Sequence, residues 1–245
     1  MSRENASTYA ILVTICILAS FSAAMAQPQI YVPESSFNFG YAGPNAKVSH
    51  VFWLKSIGDT ELQILKVTPG CGCTEAPLGR DKIEPGDSTH LEIVFSTGKY
   101  RNNTTKRTRL QTNSPTEFYN LRIEAYILPQ GDSAFPLHLP SFEVDLTPLT
   151  EKPRLVAPLT LTNLSSENIS IQLTDTYADL FRVELPTIIE AGQTAGGAVY
   201  LTDLGTKSIF EKSFTFEADN ISRSRYTLSV KRLAKPGEAV DSPRN

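Results

Sequence analysis

Hydrophobic residues along this chain recur mainly at every second position. Leu91, Ile93 and Phe95 alternate with His90, Glu92 and Val94, and Tyr119, Leu121, Ile123, Ala125 and Ile127 alternate with Asn120, Arg122, Glu124 and Tyr126. A period of two puts one set on a core face and the other toward solvent, which predicts half-buried β-strands. No segment sustains a helical period. Turn residues separate the runs at Ile57-Gly58-Asp59, Glu84-Pro85-Gly86-Asp87 and Thr112-Asn113-Ser114-Pro115. Short strands punctuated in this way predict an all-β sandwich. Phe52 and Trp53 are neighbours in one such strand, so one ring points inward and the other outward.

The pattern occurs twice. Leu54 to Ile64 (LKSIGDTELQI) aligns with Leu161 to Ile171 (LTNLSSENISI), and Lys82 to Asp87 (KIEPGD) aligns with Ile188 to Gln193 (IIEAGQ), at offsets that agree to one residue. Phe214 and Phe216, then Tyr226, Leu228 and Val230, continue the alternation in the later half. A shared offset is the mark of a tandem repeat. The fold class expected is therefore all-β, with two tandem immunoglobulin-like β-sandwich domains. The expected boundaries are residues 27–129 and 130–234, divided at the Pro129-Gln130-Gly131-Asp132-Ser133 linker. A polar tail of residues 235–245 follows and is expected to be disordered.

Composition narrows the setting. The 245 residues are 40% hydrophobic and 20% charged, with a formal net charge of -3, so no basic excess points to nucleic acid. Residues 1–26 read as a signal peptide. Arg3 supplies the positive start, Ala10 to Phe21 the apolar core, and Ala24-Met25-Ala26 the small-residue cleavage site. The apolar run is shorter than the ~20 residues that span a bilayer, so no stable membrane insertion is expected after cleavage. The expected location is the periplasm, the cell surface or the exterior. Cleavage removes Cys16 and both methionines, Met1 and Met25, and leaves Cys71 and Cys73 as the only thiols.

Those two cysteines lie in Gly70-Cys71-Gly72-Cys73-Thr74. The repeat sets Cys71 to Thr74 opposite Ala178-Asp179-Leu180-Phe181, so the fold has a version without them. A disulfide needs Cα atoms about 4.4–6.8 Å apart, which residues two apart reach if the chain turns between them, with Gly72 supplying the turn and Gly70 easing the approach. Closing three residues gains only about 1.6 kcal/mol of chain entropy, against about 4 kcal/mol for forty. Four readings stay open. The first is a local disulfide that shapes the turn, which export makes the default for an even thiol count. The second is a redox-active dithiol: Lys66, Arg80 and Lys82 favour thiolate, while Glu75 and Asp81 offset them. The third is a metal site, for which two thiolates suit Cu(I) or Zn(II) but fall short of zinc's four ligands. The last covers intermolecular disulfides and inert thiols.

The remaining candidates are plainer. His50, His90 and His138 form no paired-ligand or triad spacing and read as surface or edge residues, with His90 pointing out of its sheet. Lys99, Arg101, Lys106, Arg107 and Arg109 surround Tyr100 on a predicted hairpin and read as a solvated sheet edge. Sequons at Asn102, Asn103, Asn163, Asn168 and Asn220 matter only in a eukaryotic secretory system. No phosphate loop, carboxylate dyad or cofactor motif stands out, so neither enzyme activity nor a cofactor is expected.

Phe37-Asn38-Phe39-Gly40, Val51-Phe52-Trp53-Leu54, Gly70-Cys71-Gly72-Cys73-Thr74, Ile83-Glu84-Pro85-Gly86 and Gln111-Thr112-Asn113-Ser114 follow one another in that order. Over about residues 33–128 this resembles the bacterial family catalogued as domain of unknown function 1573, whose members are exported immunoglobulin-like sandwiches similar to the Hydin-type domains of ciliary proteins. The second half, from about Phe142, departs from the pattern at the cysteines and at Pro85, where it carries Ala191. The resemblance implies fold and export and carries no activity. It singles out Cys71 and Cys73 as the disulfide or redox pair, and Gly70, Gly72, Thr74, Pro85 and Gly86 as loop-shaping residues. The expected function is an exported, non-enzymatic binding or scaffolding protein whose partner is another envelope or extracellular protein. The alternative is a thiol-redox or metal-handling accessory built on Cys71 and Cys73.

Overall fold

The computed structural model describes residues 26–129, 134–148, 153–218 and 225–234. The expected signal segment up to Met25, the linker from Gln130 to Ser133, the sequon at Asn220 and the tail from Lys235 lie outside the described residues. The chain is all-β, as its periodicity predicts.

The strands of the first half are β1 (Ile30–Tyr31), β2 (Ser36–Ala42), β3 (Lys47–Ser56), β4 (Leu62–Pro69), β5 (Thr74–Glu75), β6 (Lys82–Ile83), β7 (Ser88–Ser96), β8 (Asn102–Thr112) and β9 (Phe118–Ile127). Those of the second half are β10 (Leu137–His138), β11 (Glu143–Asp145), β12 (Val156–Asn163), β13 (Ile169–Asp175), β14 (Phe181–Glu184), β15 (Ile188–Ile189), β16 (Thr194–Leu201), β17 (Phe210–Ala218) and β18 (Arg225–Arg232). Among the described residues one short helix, α1 (Asp203–Lys207), interrupts them. Thr202 caps it, its hydroxyl oxygen accepting from Gly205 N–H at 3.1 Å, and a single turn is too short to register as a helical period.

The described strands form three sheets. One runs β1-β3-β7-β5, a second β10-β12-β16-β14, and the third β15-β13-β17-β18-β2-β9-β8-β4-β6, with β11 also beside β18. Shifting each label of the first sheet by nine gives the second, so the repeat in sequence is also a repeat in topology. The turns repeat with it. Asp87 N–H donates to Glu84 O, and Gln193 N–H to Glu190 O. Gly86 and Gly192 both take positive φ, +84° and +69°.

What periodicity does not announce is that the two halves share the third sheet. β2 lies between β9 and β18 and runs parallel to both. Gly40 makes the join possible: a Cβ there would lie 2.1 Å from Arg225 O, so any larger residue separates the strands. Tyr41 pairs with Tyr226 and Ala42 with Thr227. Ala42 belongs to the first hydrophobic core and Tyr226 to the second. Successive residues face opposite sides, so the two cores lie on opposite faces of one continuous sheet.

The join buries polar residues that the pattern assigns to solvent. Phe214, Phe216, Tyr226, Leu228 and Val230 line the second core as expected, while Ser213, Thr215, Thr227 and Ser229, which alternate with them, are buried as well. The first half packs against that side. Ser213 Oγ accepts from Ser49 N–H and donates to Ser49 O, and Thr227 Oγ1 donates to Phe39 O at 2.7 Å.

The basic run is an edge over only part of its length. β4 pairs with β8 from Thr108 to Thr112, which places Arg109 inside the sheet. Asn102 to Arg107 pair with β9 alone. Lys106 and Arg107 therefore sit on a free edge, because β4 ends at Pro69 where the chain turns into the cysteine segment.

Candidate functional site

The cysteines occupy the corner between β4 and β5. The two sulfurs are joined, with the Cα atoms 5.2 Å apart. Thr74, buried at the start of β5, turns its Oγ1 toward both, at 3.4 Å from Cys71 Sγ and 3.8 Å from Cys73 Sγ. Thr74 N–H donates to Cys71 O, and Ser96 N–H donates to Cys73 O, so backbone bonds fix the corner to the end of β7. Tyr100 O–H donates to Cys73 Sγ at 3.4 Å. The Lys106 ammonium lies 3.9 Å from the centre of the Tyr100 ring, a cation–π contact. Among the described residues, no group of three or more His, Cys, Asp or Glu side chains is placed to hold a metal ion.

The flanking glycines do different work from that expected. A Cβ on Gly70 would lie 2.4 Å from Arg107 O, whereas one on Gly72 would meet nothing within 4 Å. Gly72 is absent from the positive-φ residues, so the crowded backbone at Gly70 constrains the corner more than the turn between the cysteines does. Pro85 and Gly86 are not part of it. They precede Ser88, whereas the corner is tied to Phe95 and Ser96, at the far end of β7 and roughly 26 Å away at ~3.3 Å per residue. They lie in the separate turn between β6 and β7, where Gly86 takes its positive φ.

A second cluster lies where the halves meet, and sequence reading misses it. His50 is 7% exposed and is no surface histidine. Its ring stacks on Phe37 at 3.7 Å and meets Phe52 edge-on. Nδ1 lies 2.8 Å from Asp175 Oδ2, and Nε2 lies 3.3 Å from Glu34 Oε2. His50 shares its face of β3 with Val48, Phe52 and Leu54, which places it among core residues, and Asp175 reaches it from the other half. His90 is exposed as expected. Nearby, Glu92 accepts from Lys212 Nζ and from Tyr177 O–H at 2.6 Å. Burial, reinforced by the Glu92 carboxylate, pushes the Tyr177 phenol above the usual tyrosine range. Lys47 forms a further cross-half pair with Glu211 at 2.7 Å. The partners across the halves are 85 or more residues apart, and no local spacing signals them.

The outer face of the β1-β3-β7-β5 sheet is covered at one end only. Ser49 and Glu92 contact the second half, whereas Trp53, Tyr31 and Lys55 are exposed, the first two by 56% and 51%. Trp53 pairs with His90 across the strands, ring centres 6.0 Å apart. Phe52 is the inward ring of the pair and Trp53 the outward one.

Residues 30–127 match the family model described as "Protein of unknown function (DUF1573)". No curated protein matches the chain. Solved structures similar to it include a protein of unknown function from Porphyromonas gingivalis W83, at 11% identity over 84% of this chain and 99% of that one, TM-score 0.36. The Pseudomonas aeruginosa CupB2 chaperone matches at 12% over 81% and 98%, TM-score 0.29. The ASH / PapD-like domain of human CEP192 matches at 10% over 42% and 87%, TM-score 0.31. Overlays at these scores say nothing about activity. Residues 30–127, which hold the cysteine corner, the Gly40 join and the Trp53 face, are a domain of the DUF1573 family.

Proposed function

We propose that this is an exported, non-enzymatic binding or scaffolding protein that contacts another envelope or extracellular protein. The observation that carries this reading is Trp53, the chain's only tryptophan, 56% exposed in the middle of a long strand beside His90. A large aromatic held on a rigid strand offers much apolar area at low entropic cost, the property of residues that dominate protein interfaces. The same sheet face already holds the second half at its other end, through Ser49 and Glu92. A partner's β-domain would extend that packing over Tyr31 and Trp53. The signal-like residues 1–26 support export, and the net charge of -3 gives no attraction for nucleic acid.

The test is crosslinking in the native envelope with the full chain and with Trp53→Ala. The expected result is an envelope protein captured by the wild type and lost by the variant, with the urea midpoint of the variant unchanged. Capture of the same partners by Trp53→Ala would overturn the assignment of this face. Recovery of the protein from the cytoplasm with residues 1–26 intact would overturn export.

A further inference from the structure

Folding does not account for the Cys71–Cys73 corner. At the matching place in the second half, Leu180 and Phe181 N–H donate to Tyr177 O, where Thr74 N–H donates to Cys71 O. β14 then pairs with β16 through Phe181 as β5 pairs with β7 through Thr74. The repeat thus turns at the same place, through a different hydrogen-bond pattern, without sulfur. Closing three residues is also among the smallest entropic gains available to a disulfide. The pair needs a role other than stapling.

We propose that Cys71 and Cys73 form a reversible thiol–disulfide exchange site for an external dithiol, with Cys71 Sγ as the attacked atom and Cys73 as the leaving thiolate. The asymmetry comes from their surroundings. Tyr100 O–H already points at Cys73 Sγ, 3.4 Å away, with the Lys106 ammonium against the same ring. Charge that develops on Cys73 meets a hydrogen-bond donor in place, and a better-stabilised leaving thiolate departs faster. Cys73 packs against the first core. Both cysteines are half-exposed, but Cys71 is not among the residues packed on that core and lies beside Gly72, where open space would accept a Cβ without contact; we take this as the side from which a reagent approaches.

The exchange balances in two steps. A thiolate of the dithiol attacks Cys71 Sγ. A mixed disulfide forms, the Cys71–Cys73 bond breaks, and its electron pair leaves on Cys73 Sγ, where Tyr100 O–H holds it. The second thiolate of the dithiol attacks its own half of the mixed disulfide, Cys71 leaves as a thiolate, and Cys71 and Cys73 each take from solvent one of the two protons that the dithiol released on ionising. The dithiol becomes a disulfide and the protein gains two thiols. The reverse sequence reoxidises the pair at the expense of an external disulfide. This site does not rest on the Trp53 face.

The test uses the purified full chain with dithiothreitol as the dithiol, counting thiols by alkylation and mass while following Trp53 fluorescence and circular dichroism. The expected result is that both cysteines become alkylatable while the folded signals persist. Tyr100→Phe should slow reduction about tenfold, since a hydrogen bond to a charged group is lost, and should leave the urea midpoint in place. Thiols that appear only at denaturant concentrations that unfold the protein would overturn the exchange site. Reduction of Tyr100→Phe at the wild-type rate would overturn the assignment of Cys73 as the leaving sulfur.

Discussion

Lys212 Nζ donates to both carboxylate oxygens of Glu92, at 2.6 and 2.5 Å, across 120 positions of sequence. With Tyr177 O–H on the same carboxylate, the pair ties the second half to the outer face of the first. The side chains are only 12% exposed for Glu92 and 23% for Lys212. An ion left unpaired there loses both its partner and its water.

Lys212→Met should therefore cost about 2 kcal/mol in urea unfolding, below the fully buried range because Lys212 keeps some solvent contact. Adding Glu92→Gln to it should restore part of the loss, since the stranded charge is gone. Additive losses in the double variant would show that the two groups do not act as a pair.

Tyr177 gives a pH dependence whose sign follows from its raised folded-state pKa. The folded protein holds the phenolic proton more tightly than the unfolded chain, so this contribution is complete below the unfolded value of about 10 and declines as pH rises above it. Thermal midpoints measured from pH 8 to 11 should fall more steeply for the wild type than for Tyr177→Phe. Parallel profiles would remove Tyr177 from the junction.

The cysteine pair should be a poor staple. The purified protein is expected to resist alkylation until it is reduced, then to take a label on each of Cys71 and Cys73, as a mass spectrum would show. Replacing both by serine should lower stability by no more than about 1.6 kcal/mol. A larger loss in urea unfolding would mean that the bond organises more than its own loop.

Gly70 and Gly72 should respond in opposite ways to alanine. Gly70→Ala drives a Cβ into Arg107 O and should cost about 2 kcal/mol, within the range for strained backbone. Gly72→Ala enters open space and should stay within about 0.5 kcal/mol of wild type. Equal effects on the chemical midpoint would contradict the geometry of the corner.

Much of the architecture was legible in the sequence. Leu91, Ile93 and Phe95, or Tyr226, Leu228 and Val230, reveal their strands because each has a core on one side, and sidedness is what a period of two reports. The repeat was legible for the same reason, and so were the turns around Gly86 and Gly192. The cysteine pair was visible by composition, but Tyr100, the donor to Cys73, stood out only as part of a basic stretch. His50 was misread because sequence spacing does not show that Asp175 approaches it.

By itself the sequence determined local matters: where strands run, which face of each seeks a core, where the chain turns, and that one half carries cysteines the other lacks. These depend on residues within a few positions of one another. Only the tertiary structure decided that β2 and β18 fuse the halves, that Ser213, Thr215, Thr227 and Ser229 are buried, and that Glu92 meets Lys212. Strand pairing uses the N–H and C=O that nearly every residue carries, so the join leaves no side-chain pattern beyond one glycine, Gly40. Whether a strand's polar face meets water or another sheet depends on what the rest of the chain lays across it, and alternation reads the same in both cases.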